Sequence, residues 1–191
     1  MKKCLVCGRQ LDINPLLKFD DMPASAQDIP DGTQVEQDRG ITLELFQCPR
    51  CGLVQFDCSP VKYYKDVIRS GGFSTTMINL RKRQYAHLIE KYNLTGKKFI
   101  EVGCGRGEFL GVLKEFPVQA FGIEHKHDLV ESAQKEGINV REEFLGTADN
   151  IIEEGPFDVF LSFNFFEHQP DPNGMLPVSY THLTLPTILL V

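Results

Sequence analysis

No apolar run in this 191-residue sequence approaches the roughly 18 residues that a membrane-spanning helix needs. The opening Met1-Lys2-Lys3-Cys4 has no apolar segment behind it, so neither a signal peptide nor a membrane partner is expected, and a cytoplasmic location is. An excess of positive charge is also missing. With 20 Lys and Arg against 26 Asp and Glu, the formal charge of −6 argues against a nucleic-acid-binding surface. What remains is a globular chain, 42% hydrophobic, long enough for one ordinary domain plus a small module.

Cysteine is sparse but grouped. Four of the six cysteines form two C-x-x-C-G pairs, Cys4-Leu5-Val6-Cys7-Gly8 and Cys48-Pro49-Arg50-Cys51-Gly52. Each pair is a knuckle that points two thiolates at one ion, with the glycine permitting the tight turn. Two knuckles make a closed tetrahedral site of Cys4, Cys7, Cys48 and Cys51, which suits a structural Zn²⁺ with no open coordination position. A redox C-x-x-C is the alternative; neither pair has the strand–helix context for it. Residues 41–47 alternate as a strand into the second knuckle and 53–56 lead out of it, the hairpin of a zinc ribbon, while 20–26 and 29–32 read as loops.

The second half is organised around Phe99-Ile100-Glu101-Val102-Gly103-Cys104-Gly105-Arg106-Gly107-Glu108. This reads as a doubly buried strand, a glycine turn and the start of a helix, the layout of a nucleotide site at the carboxyl end of a parallel strand. A dinucleotide fingerprint G-x-G-x-x-G lacks its third glycine, because position 108 is Glu108. Glu101 instead places a carboxylate just ahead of the turn, where it suits a ligand bearing an ammonium group. The pattern resembles motif I, E/D-x-G-x-G-x-G, of the class I S-adenosylmethionine-dependent methyltransferases. Residues 120–124 follow as a second strand ending in Glu124, positioned to accept ribose hydroxyls. His125 and His127 are read as solvent-facing. A third strand at 139–141 leads to Glu142, Glu143 and Phe144, any of which could meet adenine. Residues 157–163 form a fourth strand entering Asn164-Phe165-Phe166-Glu167-His168-Gln169-Pro170-Asp171-Pro172, which resembles motif IV of the same superfamily. The expected fold is therefore α/β, an incomplete Rossmann-like parallel sheet preceded by a zinc-ribbon module. The candidate cofactor residues are Glu101, Gly103, Cys104, Gly105, Gly107, Glu124 and Asn164.

Between the two parts, residues 61–95 are read as a linker and lid helix. Tyr63, Tyr64 and the stretch 70–76 precede a helix capped by Ser74 or Thr75, with Met77, Leu80, Tyr85 (or Gln84), Leu88, Ile89 and Tyr92 close to one face. Arg81-Lys82-Arg83 is expected largely on the opposite, solvated face, with a phosphate contact as the alternative.

A Cys₄ module ahead of this domain, with Cys48-Pro49-Arg50-Cys51-Gly52-Leu53-Val54-Gln55, resembles the nucleotide-sugar C-methyltransferases over residues 1 to about 176. That resemblance implies S-adenosyl-L-methionine as cofactor and a nucleotide-linked deoxy-keto-sugar as methyl acceptor. A base removes the proton α to the ketone; His168 is the candidate, with Tyr63, Tyr64 and Glu167 as weaker positioning groups. Another small-molecule acceptor, an NAD(P)-binding domain and a non-catalytic zinc-ribbon interaction module remain open. Residues 178–187, Val178-Ser179-Tyr180-Thr181-His182-Leu183-Thr184-Leu185-Pro186-Thr187, resemble a translated sequencing-library adapter. The expected division is thus 1–60, 61–95, a truncated cofactor domain at 96–176 and an artefactual tail at 177–191, which would leave the fourth strand as an open edge.

Overall fold

The structure is a computed structural model; it describes residues 2–24, 30–59, 61, 73–144, 152–169, 171–181 and 183–190. Tyr63, Tyr64 and Ser70 lie outside the described residues. The chain divides into two compact units, Met1–Ile68 with Pro170–Asn173, and Arg69–Gln169 with Gly174–Val191.

The first unit is a three-stranded antiparallel sheet ordered β1 (Leu17–Met22), β2 (Ile41–Gln47) and β3 (Val54–Phe56). The expected hairpin of β2 and β3 is present, with Leu45 opposite Phe56 and Gln47 opposite Val54. The loop expected at 20–26 is corrected at its start, because Asp20, Asp21 and Met22 close strand β1. Its residues are almost all exposed and Asp21 takes a left-handed φ of 56°, so an edge strand was disguised by loop chemistry. Phe46, on the other face of β2, is buried with Leu11, Cys4 and Cys48. Gln55 holds the first knuckle to this sheet, accepting from the Leu5 N–H at 2.9 Å and donating to the Lys3 carbonyl at 3.1 Å.

The second unit is a parallel sheet in the order β6-β5-β4-β7-β8: β4 (Lys98–Val102), β5 (Gln119–Glu124), β6 (Val140–Glu142), β7 (Phe157–Leu161) and β8 (Leu183–Leu190). Helices α1 (Thr75–Tyr92), α2 (Glu108–Leu113) and α3 (His127–Lys135) pack with it, and α4 (Pro172–Thr181) precedes β8. Strand alternation splits β4 between two cores. Phe99 packs with Tyr85, Leu88, Leu110 and Leu161, while Ile100 and Val102 pack with Ile123, Phe160 and Met175.

Three expectations change here. Strand β7 is not an edge: residues 183–190 pair along it in parallel, with Val159 opposite Ile188 and Leu161 opposite Leu190. The run Leu183-Thr184-Leu185-Pro186-Thr187-Ile188-Leu189-Leu190 has the apolar and β-branched content of a buried strand, whatever its coding origin. Helix α1 is capped by Ser74, whose side chain accepts from the Met77 N–H, and its buried positions are Tyr85, Leu88 and Ile89. Ile78 packs against them whereas Tyr92 is 41% exposed. The basic run also divides. Lys82 reaches outward to Glu115 at 2.6 Å, but Arg81 turns inward, as a position four before Tyr85 and seven before Leu88 must.

Candidate functional site

The turn after β4 is built by hydrogen bonds that cross to β5. The Gly103 and Cys104 N–H groups donate to the Ile123 carbonyl at 2.9 and 3.1 Å, and Gly107 N–H donates to the Cys104 carbonyl at 3.0 Å. Gly103, Gly105 and Gly107 all have positive φ, of 72°, 61° and 72°. Gly103 is sterically required as well. The Phe165 ring lies against its α-carbon so closely that a Cβ would come within 2.4 Å of ring atoms. Cys104 is fully buried beside Gly122, a packing residue that contributes its backbone to the turn.

Glu124, at the end of β5, is 6% exposed. One carboxylate oxygen accepts from the Gly105 N–H at 2.9 Å; the other accepts from the His125 and Lys126 N–H groups at 2.9 and 3.0 Å. The carboxylate thereby joins the glycine turn to the start of α3. His125 is corrected from solvent-facing: its Nδ1 lies 3.0 Å from Glu124, and its ring meets Phe144 edge-on at 5.9 Å. His127 does face solvent, and pairs with Glu142 at 2.7 Å. Glu143 and Phe144 line a small cavity with Gly103, Glu124, His125 and Phe165, while Glu142 is engaged elsewhere.

Glu101 is wholly buried, and strand alternation puts it on the face of β4 that Phe99 turns toward α1. Arg81, among the described residues, is a cation near enough to feel its charge. Its guanidinium stacks 3.7 Å from the Phe163 ring centroid and 4.5 Å from that of Phe109, rings that themselves meet edge-on at 5.5 Å. Desolvation pulls the Arg81 pKa down, opposed by the Tyr85 hydroxyl and the Glu101 charge. Burial first, and Glu101 second, push the Tyr85 hydroxyl far above the usual phenol range. Arg81 and Tyr85 line a groove of about 290 Å³ with Leu88, Lys91, Leu161 and Phe163. The sequence offered Arg81 only a phosphate contact shared with Lys82 and Arg83, and Tyr85 only a place on the apolar helix face. The available signal was the spacing 81, 85, 88, which puts an arginine on the buried helix face.

Beyond β7, Asn164 is exposed and has a left-handed φ of 53°. The chain then forms a single 3₁₀ turn, Phe166–His168, in which the His168 N–H donates to the Phe165 carbonyl at 3.1 Å. Asn164 and the half-buried His168 thus stand at the carboxyl end of the sheet, with Glu167 exposed beside them.

In the first unit, the Sγ atoms of Cys4, Cys7, Cys48 and Cys51 all lie within 4.8 Å of one another. Cys4–Cys51 and Cys7–Cys48 are 3.6 and 3.5 Å apart. Tetrahedral Zn–S bonds of about 2.3 Å imply S–S edges of about 3.8 Å. Gly8 and Gly52 turn the knuckles at φ of 67° and 78°, their N–H groups donating to the Cys4 and Cys48 carbonyls. The N–H groups of Cys51 and Arg50 hold the Cys48 thiol down to about 6. Cys51 goes the other way, to about 12: the Leu53 N–H pulls it down, but partial desolvation and three neighbouring sulfurs together outweigh that pull. Four thiols this close cannot all ionise without a cation among them.

Comparison with known proteins bears on the second unit. A family profile described as a methyltransferase domain matches residues 77–190. The chain is similar to the ubiquinone biosynthesis O-methyltransferase of Pseudomonas fluorescens, 33% identical over 93 residues, covering 46% of this chain and 40% of that protein. The same enzyme of Methylococcus capsulatus is 32% identical over 92 residues, covering 44% and 38%. The chain thus spans about two-fifths of the length of the curated relatives it matches. Among solved structures, the plantazolicin methyltransferase BpumL in complex with S-adenosylhomocysteine and a triazolic analogue superposes with a TM-score of 0.52 at 19% identity, over 66% of this chain and 48% of that one. That likeness shows a common fold.

Proposed function

The chain belongs to the methyltransferase-domain family, and from that premise we propose that its second unit binds S-adenosyl-L-methionine and serves methyl transfer to a small molecule. The observation that carries this reading is the pair of buried carboxylates on either side of the glycine turn. Glu101, near Arg81, suits the two charges of the cofactor's amino-acid end; Glu124 keeps lone pairs beyond its backbone bonds for ribose hydroxyls. Phe144 and His125 offer an aromatic corner for adenine. A pyrophosphate-bearing dinucleotide would instead meet the Glu101 charge, which disfavours the NAD(P) alternative.

When bound, the cofactor supplies an electrophilic methyl on its sulfonium. The chain's own residues orient it and manage the acceptor's proton. Our preferred acceptor is the carbon α to the ketone of a nucleotide-linked deoxy-keto-sugar, with His168 accepting the α-proton and Asn164 helping to frame the cofactor end. A second acceptor class, a hydroxyl, is favoured by the O-methyltransferase relatives. In the first unit, Cys4, Cys7, Cys48 and Cys51 would hold a Zn²⁺ whose role is folding.

The test uses methyl-labelled cofactor with a keto-deoxy-sugar nucleotide and, separately, a catechol. Label in the sugar, together with solvent-deuterium exchange at its α-carbon that His168→Ala abolishes, supports the first acceptor. Label in the catechol alone would transfer the assignment to a hydroxyl, and no transfer to either would reject both.

A further inference from the structure

Tyr85 lies in the middle of α1, is 2% exposed, and its hydroxyl has no hydrogen-bond partner among the described residues. Such a group costs free energy unless something pairs with it. A phenylalanine would fill the same space without that penalty. The ring is held edge-on by Phe116 at 6.2 Å, within the cluster that includes Leu88, Ile89 and Phe99. Side chains on a helix lean toward its N-terminus, which carries the hydroxyl over the preceding turn, the one that bears Arg81. The Nε of Arg81 is likewise buried and without a partner among the described residues. The two residues that carry these buried donors, one turn apart, line the same groove, on the face of the sheet that Glu101 shares with Phe99.

We infer that the Tyr85 hydroxyl is a positioning donor for the carboxylate of the cofactor's amino-acid end, so that this chain distinguishes adenosyl ligands by the presence of that carboxylate. The inference rests on the cofactor reading above and deepens it. Two donors converge on an anion, and Glu101 supplies the opposite charge for the neighbouring ammonium. The groove's other cation, Lys91, stands almost three turns beyond Arg81 along α1, and its Nζ lies over the Tyr92 ring at 5.1 Å.

The experiment compares S-adenosylhomocysteine with its decarboxylated analogue and with 5′-methylthioadenosine, by calorimetry on the full chain and on Tyr85→Phe. Wild type should bind S-adenosylhomocysteine at least roughly tenfold more tightly than the decarboxylated analogue, as one charge-assisted hydrogen bond allows. Tyr85→Phe should lose roughly tenfold for S-adenosylhomocysteine only, with the unliganded melting temperature unchanged or raised. Equal weakening toward all three ligands, or a lowered unliganded melting temperature with binding intact, would make the hydroxyl structural and overturn the inference. Equal affinity of wild type for carboxylated and decarboxylated ligands overturns it without any variant. Binding of no adenosyl ligand at all would instead reject the cofactor reading itself.

Discussion

At the residue scale, two glycines with similar backbones carry different burdens. Gly103 and Gly96 have φ of 72° and 76°, but a Cβ at Gly103 meets the Phe165 ring at 2.4 Å whereas one at Gly96 meets nothing within 4 Å. Gly96→Ala is therefore expected to cost about 1 kcal/mol, the left-handed penalty alone. Gly103→Ala should cost about 2–4 kcal/mol, strain plus overpacking, measured by urea unfolding. The sequence marked Gly103 as a turn residue; it could not show that an aromatic from beyond β7 rests on it, because that neighbour is set by tertiary packing. Arg81 teaches the same lesson. Read as one of three basic residues it looks solvated, yet its helical phase puts it against Phe109 and Phe163. Arg81→Lys is accordingly not conservative. A lysine cannot reproduce the planar stack, and affinity for S-adenosylhomocysteine should fall by roughly tenfold or more in a calorimetric titration.

At the element scale, the strand–helix alternation was legible because its periodicities are strong. Strands β4, β5 and β7 stand within a residue or two of where the pattern placed them. Strand β1 was hidden: an exposed edge strand has no apolar alternation to display. Helix α3 and strand β6 are further tied by His127 and Glu142, 2.7 Å apart and exposed. Hydrogen bonding to Glu142 raises the His127 pKa above its usual value. A raised histidine pKa stabilises the fold fully below about 6.5, and that contribution disappears as pH climbs through the raised folded value. His127→Gln should therefore lower the melting temperature slightly at pH 6 and leave it unchanged at pH 9, and 1 M salt should erase the difference.

At the scale of the whole molecule, the two units answer to different chemistry. The first has a small core around Phe46 and Leu11, and its four cysteines are the natural staple for so little buried surface. One zinc per chain is expected, and chelation should expose residues 2–59 to protease while the melting of β4, β5 and β7 persists. Zinc analysis together with limited proteolysis checks both. The second unit is organised around β4, which delivers Glu101 and the glycine turn, with β5 delivering Glu124. Those residues were readable in sequence because motif spacing is local; the opposing face, Arg81 and Tyr85 from α1, was not, because it comes from a helix before the motif. The central claim is that these surfaces meet an adenosyl amino acid. Calorimetric titration with S-adenosylhomocysteine and, separately, NAD⁺ tests it most directly. Micromolar binding of the first, lost in Glu124→Ala, with no heat from the second is the predicted result; binding of NAD⁺ alone would contradict it.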